Sequence, residues 1–239
     1  MSNYVFSIEG NVGSGKSYLI KNLMKFLKTI YKYNIVYLPE PVKEWQKIKN
    51  KKHENVIQVY YKDPVKYAFS FQIMTLISRI TQLRNAFKTH TNTIFILERS
   101  VYADKNVFCK MLKDDGIIDK INYEIYIRWF DEFKNEIPIN GNIYINTSVE
   151  KTIKRIEKRG RIGENSISKE YLTKLKKYHD EWLYHSNMPM LELNGNIHYE
   201  KIIPPQWVSK IVTFVQSKVV PKVHIDQAEI VNIAKNIYC

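Results

Sequence analysis

Residues 10–17 read GNVGSGKS, which matches the P-loop pattern G-x-x-x-x-G-K-[ST] at every fixed position. They are Gly10, Asn11, Val12, Gly13, Ser14, Gly15, Lys16 and Ser17. An apolar run at 4–9 precedes them, and apolar side chains recur at helical spacing from Lys16 to about residue 31. Because glycines let backbone N–H groups crowd around phosphate oxygens at a helix N-terminus, this unit is typical of a triphosphate site. It predicts Lys16 on the β- and γ-phosphates and Ser17 on Mg²⁺.

Outward from this loop, short apolar runs alternate with helical patterns. After the strand at 4–9, strands are predicted at 34–38, 93–97, 142–146 and 190–194, and helices at about 64–87, 101–113, 119–135, 168–185 and 205–218. Strands that alternate with helices favour one parallel sheet covered on both faces. The predicted fold class is therefore α/β, with a five-stranded parallel sheet flanked by helices in a single domain over residues 1–239.

Composition limits the class of protein. The 44% hydrophobic content indicates a globular chain; no run of about 18 apolar residues suggests a membrane span, and the N-terminus does not read as a signal peptide. Cys109 and Cys239 give neither a disulfide framework nor a metal-ligand spacing, so we expect a cytoplasmic protein. The net charge of +13 is spread over many segments without a nucleic-acid motif, which favours small phosphate-bearing ligands over nucleic acid.

A P-loop by itself does not separate kinases from motors, GTPases or helicases. The chain is too short for a motor core and lacks an N-K-x-D type motif for reading guanine. Kinases of small acceptors are therefore favoured. The corresponding P-loop kinase fold would carry a short basic lid at about 155–167, and a C-terminal extension at about 219–239 has no purpose that the sequence indicates.

Polar side chains follow two predicted strands at the edge where open α/β sheets bind ligands. Glu40 comes after 34–38 and could accept the proton of an attacking hydroxyl, although a solvated loop glutamate is the alternative. Glu98 and Arg99 come after 93–97. Glu98 suits Mg²⁺ and Arg99 could neutralise the transferring phosphoryl group; an ion pair at a helix N-terminus is the alternative.

Two further groups have the residue types of a ligand site. Arg155, Arg159 and Arg161 lie before and inside a glycine-containing loop, where a mobile basic lid could close over a triphosphate or simply form a solvated face. Gln72 and Arg79 are seven residues apart, two turns on one face of a predicted helix. The Gln72 amide could read a base edge, or it could be a surface side chain.

Taken together, seven blocks resemble the deoxynucleoside kinases of the deoxycytidine, deoxyguanosine and insect multisubstrate type. They are EGNVGSGKS (9–17), EPVKEW (40–45), YYKDP (60–64), FSFQ (69–72), ERSVYAD (98–104), KRIEKRGR (154–161) and EYLTKLKKYHDEWLYH (170–185). They occur in the order and spacing of that family across about residues 4–190. One departure is Gly163–Glu164, where many relatives carry two consecutive acids.

The resemblance implies a role at each matching position. Glu40 would take the 5′-OH proton, with Arg99 near the transferring phosphate and with Ser17 and Glu98 on Mg²⁺. The acceptor residues implied are Trp45, Phe71 and Phe108 around the base, Gln72 on its edge, and Tyr61 and Glu164 on the 3′-hydroxyl. Arg155, Arg159 and Arg161 would bind the phosphates of ATP or another triphosphate. A homodimer packed through helices is also implied.

The pair Arg79 and Asp104 bears on which base is accepted. The deoxycytidine and deoxyguanosine branch has these residues, whereas thymidine-accepting relatives tend to have apolar or small ones. An ionised Asp accepts hydrogen bonds from the amino group of cytosine or adenine and repels the O4 carbonyl of thymine. The sequence therefore favours deoxycytidine or a purine deoxynucleoside; for the pair itself, the alternative is a structural ion pair remote from the base. The alternatives are a thymidylate-type monophosphate kinase, a thymidine-accepting multisubstrate kinase and a nucleotide-dependent nucleic-acid-binding module.

Overall fold

A five-stranded parallel sheet runs through the centre of the chain. The computed structural model describes residues 2–30, 34–160, 167–197 and 203–219. The strands are β1 (Tyr4–Glu9), β2 (Asn34–Leu38), β3 (Thr93–Glu98), β4 (Gly141–Asn146) and β5 (Met190–Asn194). All five predicted strands are confirmed, because a parallel sheet buried on both faces produces the continuous apolar runs that mark them.

The helices surround this sheet and connect its strands. They are α1 (Lys16–Ile30), α2 (Val42–Trp45), α3 (Val56–Lys62), α4 (Pro64–Thr89), α5 (Val101–Ala103), a π-helix (Asp104–Cys109), α6 (Lys110–Asp114), α7 (Lys120–Phe133), a 3₁₀ turn (Lys134–Glu136), α8 (Val149–Arg159), α9 (Lys169–His185) and α10 (Pro205–Gln216). The five long predicted helices are present, but the one expected at 101–113 contains the π-helix. The sequence analysis did not anticipate α2 or α3.

The strand order β2-β3-β1-β4-β5 fixes where a ligand can bind. Strands β1 and β3 are neighbours, with Ile8 opposite Glu98 at the last pair of their ladder. From β1 the chain runs to β2 on one side of the sheet, and from β3 it crosses to β4 on the other. The carboxyl ends of β1 and β3 therefore form the crevice in which open α/β sheets bind ligands.

Apolar helix faces cover both sides of the sheet. On one side, α1 and α10 bury Leu23 and Trp207 against Phe6 of β1. On the other side, α4 and α7 pack with Phe95 of β3 and bury Leu76 among their contacts. Burial of a large apolar side chain contributes roughly 1.5–3 kcal/mol, so these two layers hold the sheet and the loops at its edge in place.

Helix α8 ends at the boundary of the predicted lid. Ser148 caps its start, where its hydroxyl accepts from the Lys151 N–H, and Gly160 ends it in the left-handed conformation with φ +57°. Residues 155–159 of the predicted lid are consequently helical. Arg161 and Glu164 lie outside the described residues, as does the predicted extension after residue 219.

Within the described ranges, no helix combines the length and the apolar character needed to cross a membrane.

Candidate functional site

The loop between β1 and α1 depends on two glycines. Gly10 and Gly13 have φ of +143° and +75°, values that residues with a Cβ atom rarely adopt. A Cβ atom at Gly10 would lie 2.9 Å from the Ile145 carbonyl oxygen, and one at Gly13 would lie 2.8 Å from the Thr152 carbonyl oxygen. Backbone packs too closely around the loop for side chains at these positions, and its N–H groups can therefore approach a ligand.

Lys16 begins α1 and is almost fully buried. Its Nζ donates to the carbonyl oxygens of Gly10 at 3.0 Å and of Asn11 at 2.8 Å. Burial, and after it the charge of Arg99, lower the pKa of this amine to about 7. A phosphate group that displaced these carbonyls would restore the charged form.

Ser17, on the first turn of α1, meets Glu98, which ends β3. The Ser17 hydroxyl donates to Glu98 Oε1 at 2.7 Å, and the Tyr37 hydroxyl donates to Oε2 at 2.6 Å. Hydroxyl and carboxylate oxygens are the ligands that Mg²⁺ prefers, usually together with waters and substrate phosphates. The predicted metal residues therefore lie together and have suitable chemistry. Tyr37, which orients Glu98, was not identified from the sequence.

Glu40 lies two residues beyond β2 and contacts two arginines. Its Oε1 accepts from Arg79 Nη2 at 2.6 Å and from Arg99 Nη1 at 3.2 Å. Burial raises the pKa of this carboxyl, but the charges of Arg99, Arg79 and Lys16 outweigh burial and hold the pKa below its ordinary value. Glu40 is therefore ionised at neutral pH. The alternative of a glutamate surrounded only by water is excluded.

Arg79 also contacts Asp104, so one guanidinium lies between two carboxylates. Arg79 Nε is 2.9 Å from Asp104 Oδ2, an ion pair without hydrogen-bond alignment, and both side chains are buried. Burial raises the pKa of Asp104 to about 6, although the charge of Arg79 opposes the shift. The predicted pair is thus formed. Asp104 is therefore ionised at neutral pH, as the sequence predicts, but burial makes it take up a proton in mildly acidic solution.

Aromatic rings lie beside this pair, as expected for a base site. Trp45 is edge-on to Phe71 with centroids 5.8 Å apart, and Arg79 lies 5.7 Å from the Trp45 ring. Gln72 is buried, and its Oε1 has no hydrogen-bond partner among the residues that the structure describes. The surface alternative for Gln72 is therefore excluded. Tyr61, on α3, is exposed.

The π-helix places two predicted site residues at its start and near its end. Asp104 is its first residue and Phe108 its fifth. A π-helix has a wider turn than an α-helix, so residues four apart lie less than one full turn from each other. The Phe108 ring lies 5.2 Å from the Arg99 guanidinium. Segments of this kind often occur at functional sites.

The arginines that were predicted to bind the phosphates of the donor nucleotide lie in different surroundings. Arg155 Nη1 donates to the Ser14 carbonyl oxygen at 2.9 Å, and Nη2 donates to the Gly195 carbonyl oxygen at the same distance. This arginine therefore supports the phosphate-binding loop from behind. Arg159 is exposed at the end of α8. A direct contact of either with donor phosphates remains a prediction.

Besides Tyr37, three residues near the site were not identified from the sequence. Tyr171 packs in a cluster with Phe108 and Val12. His179 is fully buried and edge-on to Phe108 at 6.3 Å, and burial lowers its pKa to about 3, so the ring is neutral. Both follow the helical spacing of α9, a pattern that indicates core packing and not a ligand. The third, Glu9, is fully buried at the end of β1.

Residues 6–220 match the family model described as deoxynucleoside kinase. The chain belongs to the deoxynucleoside kinase family. It is accordingly a kinase that uses a nucleotide donor and a nucleoside acceptor. The match confirms the predicted family, fold class and enzyme class, and a monophosphate kinase is not favoured.

Individual relatives agree with this assignment. The kinase is 31% identical to deoxycytidine kinase 2 of Gallus gallus, with 88% of this chain and 90% of the relative aligned. It is 36% identical to a probable deoxycytidine kinase of fowlpox virus, over 80% and 78% of the two chains. A mitochondrial deoxyguanosine kinase of Xenopus laevis is 28% identical, over 81% and 82%.

Proposed function

We propose that this kinase transfers the γ-phosphate of ATP, or of another nucleoside triphosphate, to the 5′-hydroxyl of deoxycytidine or a purine deoxynucleoside. The observation that carries the proposal is the position of Glu40. Its ionised carboxylate is held by Arg79 and Arg99, and the charge of Lys16 in the phosphate-binding loop also acts on it. A base beside a triphosphate loop is needed when the acceptor is a neutral alcohol.

In the proposed reaction, Glu40 accepts the proton of the 5′-hydroxyl while that oxygen forms its bond to the γ-phosphorus. The bond from the γ-phosphorus to the β,γ-bridging oxygen breaks, and the donor leaves as the nucleoside diphosphate. Arg99 donates a hydrogen bond to the same carboxylate, and its positive charge would offset negative charge on the phosphoryl group during transfer. Lys16 and the loop amides hold the donor phosphates. Ser17 and Glu98 would hold Mg²⁺, which when bound neutralises charge on the donor phosphates.

The acceptor preference rests on buried Asp104, which accepts hydrogen bonds in its ionised form. Cytosine, adenine and guanine carry exocyclic amino groups that can donate to it, and thymine has none. The buried Gln72 Oε1 also requires a donor but does not discriminate, because the N3–H of thymine can supply one. The names of the relatives, which include deoxycytidine and deoxyguanosine kinases, support the same preference.

An acceptor panel tests the proposal directly. Purified kinase with ATP and Mg²⁺ is incubated separately with the four deoxynucleosides and with their four monophosphates, and products are separated by chromatography. We expect monophosphates to form from the nucleosides, and no diphosphates to form from the monophosphates. Phosphorylation of the monophosphates alone would contradict the proposal.

Donor binding should take up a proton at pH 8. Free Lys16, with a pKa of about 7, is roughly nine-tenths neutral at that pH, and a bound triphosphate favours its charged form. Calorimetry of ATP binding in buffers of different ionisation enthalpy should therefore show uptake approaching one proton at pH 8 and little at pH 6. Lys21→Met, on the exposed face of α1, should behave like wild type, whereas Lys16→Met should remove the uptake. Equal uptake in wild type and Lys16→Met would contradict the prediction.

We also propose that the kinase is a homodimer packed through α4 and α7. On α7, Ile121, Ile125 and Trp129 are exposed at four-residue spacing, and Ile77 is exposed on the adjoining α4. Interface cores are depleted in charge and enriched in aromatic residues. In residues 67–83 of α4 the one charged side chain is that of Arg79, which is buried, so the exposed surface of this segment carries no charge.

Trp129→Glu should therefore convert dimer to monomer, because it replaces the large aromatic side chain of the apolar face with a charge. Light scattering after size exclusion should give about twice the chain mass of 28.4 kDa for wild type and the chain mass for the variant. Tyr184→Glu is the matched control, since Tyr184 is 47% exposed on α9 and Trp129 is 46% exposed. A monomeric wild type, or a dimeric Trp129→Glu, would refute the proposed interface.

A further inference from the structure

Arg99 has a backbone conformation that is rare for its residue type. Its φ is +62°, in the left-handed region that glycine adopts readily and arginine does not. Such conformations persist where the surroundings determine them, and they cluster at functional sites. Here the conformation occurs directly after the last β1–β3 pair, between Ile8 and Glu98, where the sheet ladder ends.

Three hydrogen bonds hold the two peptide groups that flank the Arg99 Cα atom. The Arg99 N–H donates to the Ile8 carbonyl oxygen at 3.2 Å. Arg79 Nη1 donates to the carbonyl oxygens of Glu98 at 3.0 Å and of Arg99 at 3.4 Å. The backbone on both sides of the Arg99 Cα atom is thus held by neighbouring elements.

Glu9 holds the N–H group of the same Arg99–Ser100 peptide, at a shorter distance than Arg79 holds its carbonyl oxygen. Ser100 is the N-cap of α5, so its own N–H has no partner within that helix. This N–H donates to Glu9 Oε1 at 2.9 Å in a fully buried environment. Burial raises the pKa of Glu9, and its hydrogen bonds with Ser100 oppose that shift. Glu9 also directly precedes Gly10, so one residue joins the phosphate-binding loop to the turn at Arg99.

We infer that Glu9 is a positioning residue that acts through Arg99. By accepting the Ser100 N–H, it keeps Arg99 in the left-handed conformation from which the guanidinium reaches Glu40. The inference rests on the proposed role of Arg99 in phosphate transfer. What the turn requires of Glu9 is a hydrogen-bond acceptor, which the side-chain carbonyl of glutamine also supplies.

Substitutions at Glu9 should show whether the turn depends on the hydrogen-bond acceptor of this side chain, on its charge or on its volume. Glu9→Ala and Glu9→Met both remove the hydrogen-bond acceptor, and methionine keeps most of the side-chain volume. Each variant should lower kcat about tenfold to fiftyfold, because a misplaced catalytic group slows the reaction on this scale. The KM values for donor and acceptor should change by about twofold or less. Glu9→Gln should retain kcat within about threefold. All variants are assayed well below the lowest Tm measured among them.

A double-mutant cycle with Arg99→Gly shows whether Glu9 acts through Arg99. Glycine accepts the φ of this position, so the background variant removes the guanidinium without strain. Adding Glu9→Met to it should change kcat by about twofold or less, because coupled residues are not additive. Equal losses in both backgrounds, or a Glu9→Gln as impaired as Glu9→Met, would overturn the inference. An Arg99→Gly with wild-type kcat would instead refute the proposed role of Arg99.

Discussion

Glu40→Gln is expected to lower kcat by about 10²–10⁴, the usual scale of general-base catalysis. Glutamine keeps the size of the side chain and an oxygen that can accept from Arg79 and Arg99, but it cannot take up the 5′-hydroxyl proton. The acceptor KM should change far less than kcat, because the variant removes an interaction needed in the transition state and not in binding. Steady-state kinetics with deoxycytidine as acceptor measure both parameters.

Glu44→Gln is the matched control for this substitution. Glu44 is four residues further along, exposed, and paired with Lys47, so its loss should leave kcat within about twofold. The pKa of Glu40 is held below its ordinary value, so its carboxylate form persists down to acid pH. Loss of activity through its protonation should therefore begin only below about pH 4.5. An unchanged kcat in Glu40→Gln would remove Glu40 from its proposed role.

The parts of the fold that the sequence predicted well are those defined by burial. All six residues of β1 are buried, and the strand was visible as a short, mainly apolar run in which Ser7 and Glu9 are the polar residues. The short helix α3 was missed, although Asn55 and Gln58 form a reciprocal capping box that a search for caps would have found. The π-helix has no such signal, because over six residues its side-chain pattern is indistinguishable from that of an α-helix.

The residues of the candidate site were predicted from their position after the strands and not from burial. The features of the site that the sequence did not reveal were missed for physical reasons. Glu40, Glu98 and Arg99 were found because polar residues after parallel strands share one edge of the sheet. Glu9 was missed because a carboxylate that ends an apolar run looks like the boundary of a strand, and one sequence does not show that the residue is buried. The left-handed φ of Arg99 was missed because it depends on hydrogen bonds from elsewhere in the fold.

Deoxycytidine should exceed thymidine in kcat/KM by about 5- to 150-fold, the effect of a mismatched buried polar contact of ~1–3 kcal/mol. The cytosine amino group can donate to Asp104, whereas the O4 carbonyl of thymine would face an ionised carboxylate. Asp104→Asn should narrow the ratio, since the amide can also donate to O4. Competition between the two acceptors gives the ratio directly. Thymidine as the better substrate would reject the assignment.

The same ratio should depend on pH, because burial raises the pKa of Asp104 to about 6. Above that value the carboxylate accepts only, and the ratio of kcat/KM values for deoxycytidine and thymidine is at its maximum. As pH falls through 6 the protonated form gains a donor that thymine O4 can accept, so the ratio should fall towards that of Asp104→Asn, which should itself show no such change. Asp114→Asn, at the surface, should keep the wild-type profile. Because a general base affects both acceptors equally, a pH effect on the ratio separates base recognition by Asp104 from proton transfer to Glu40.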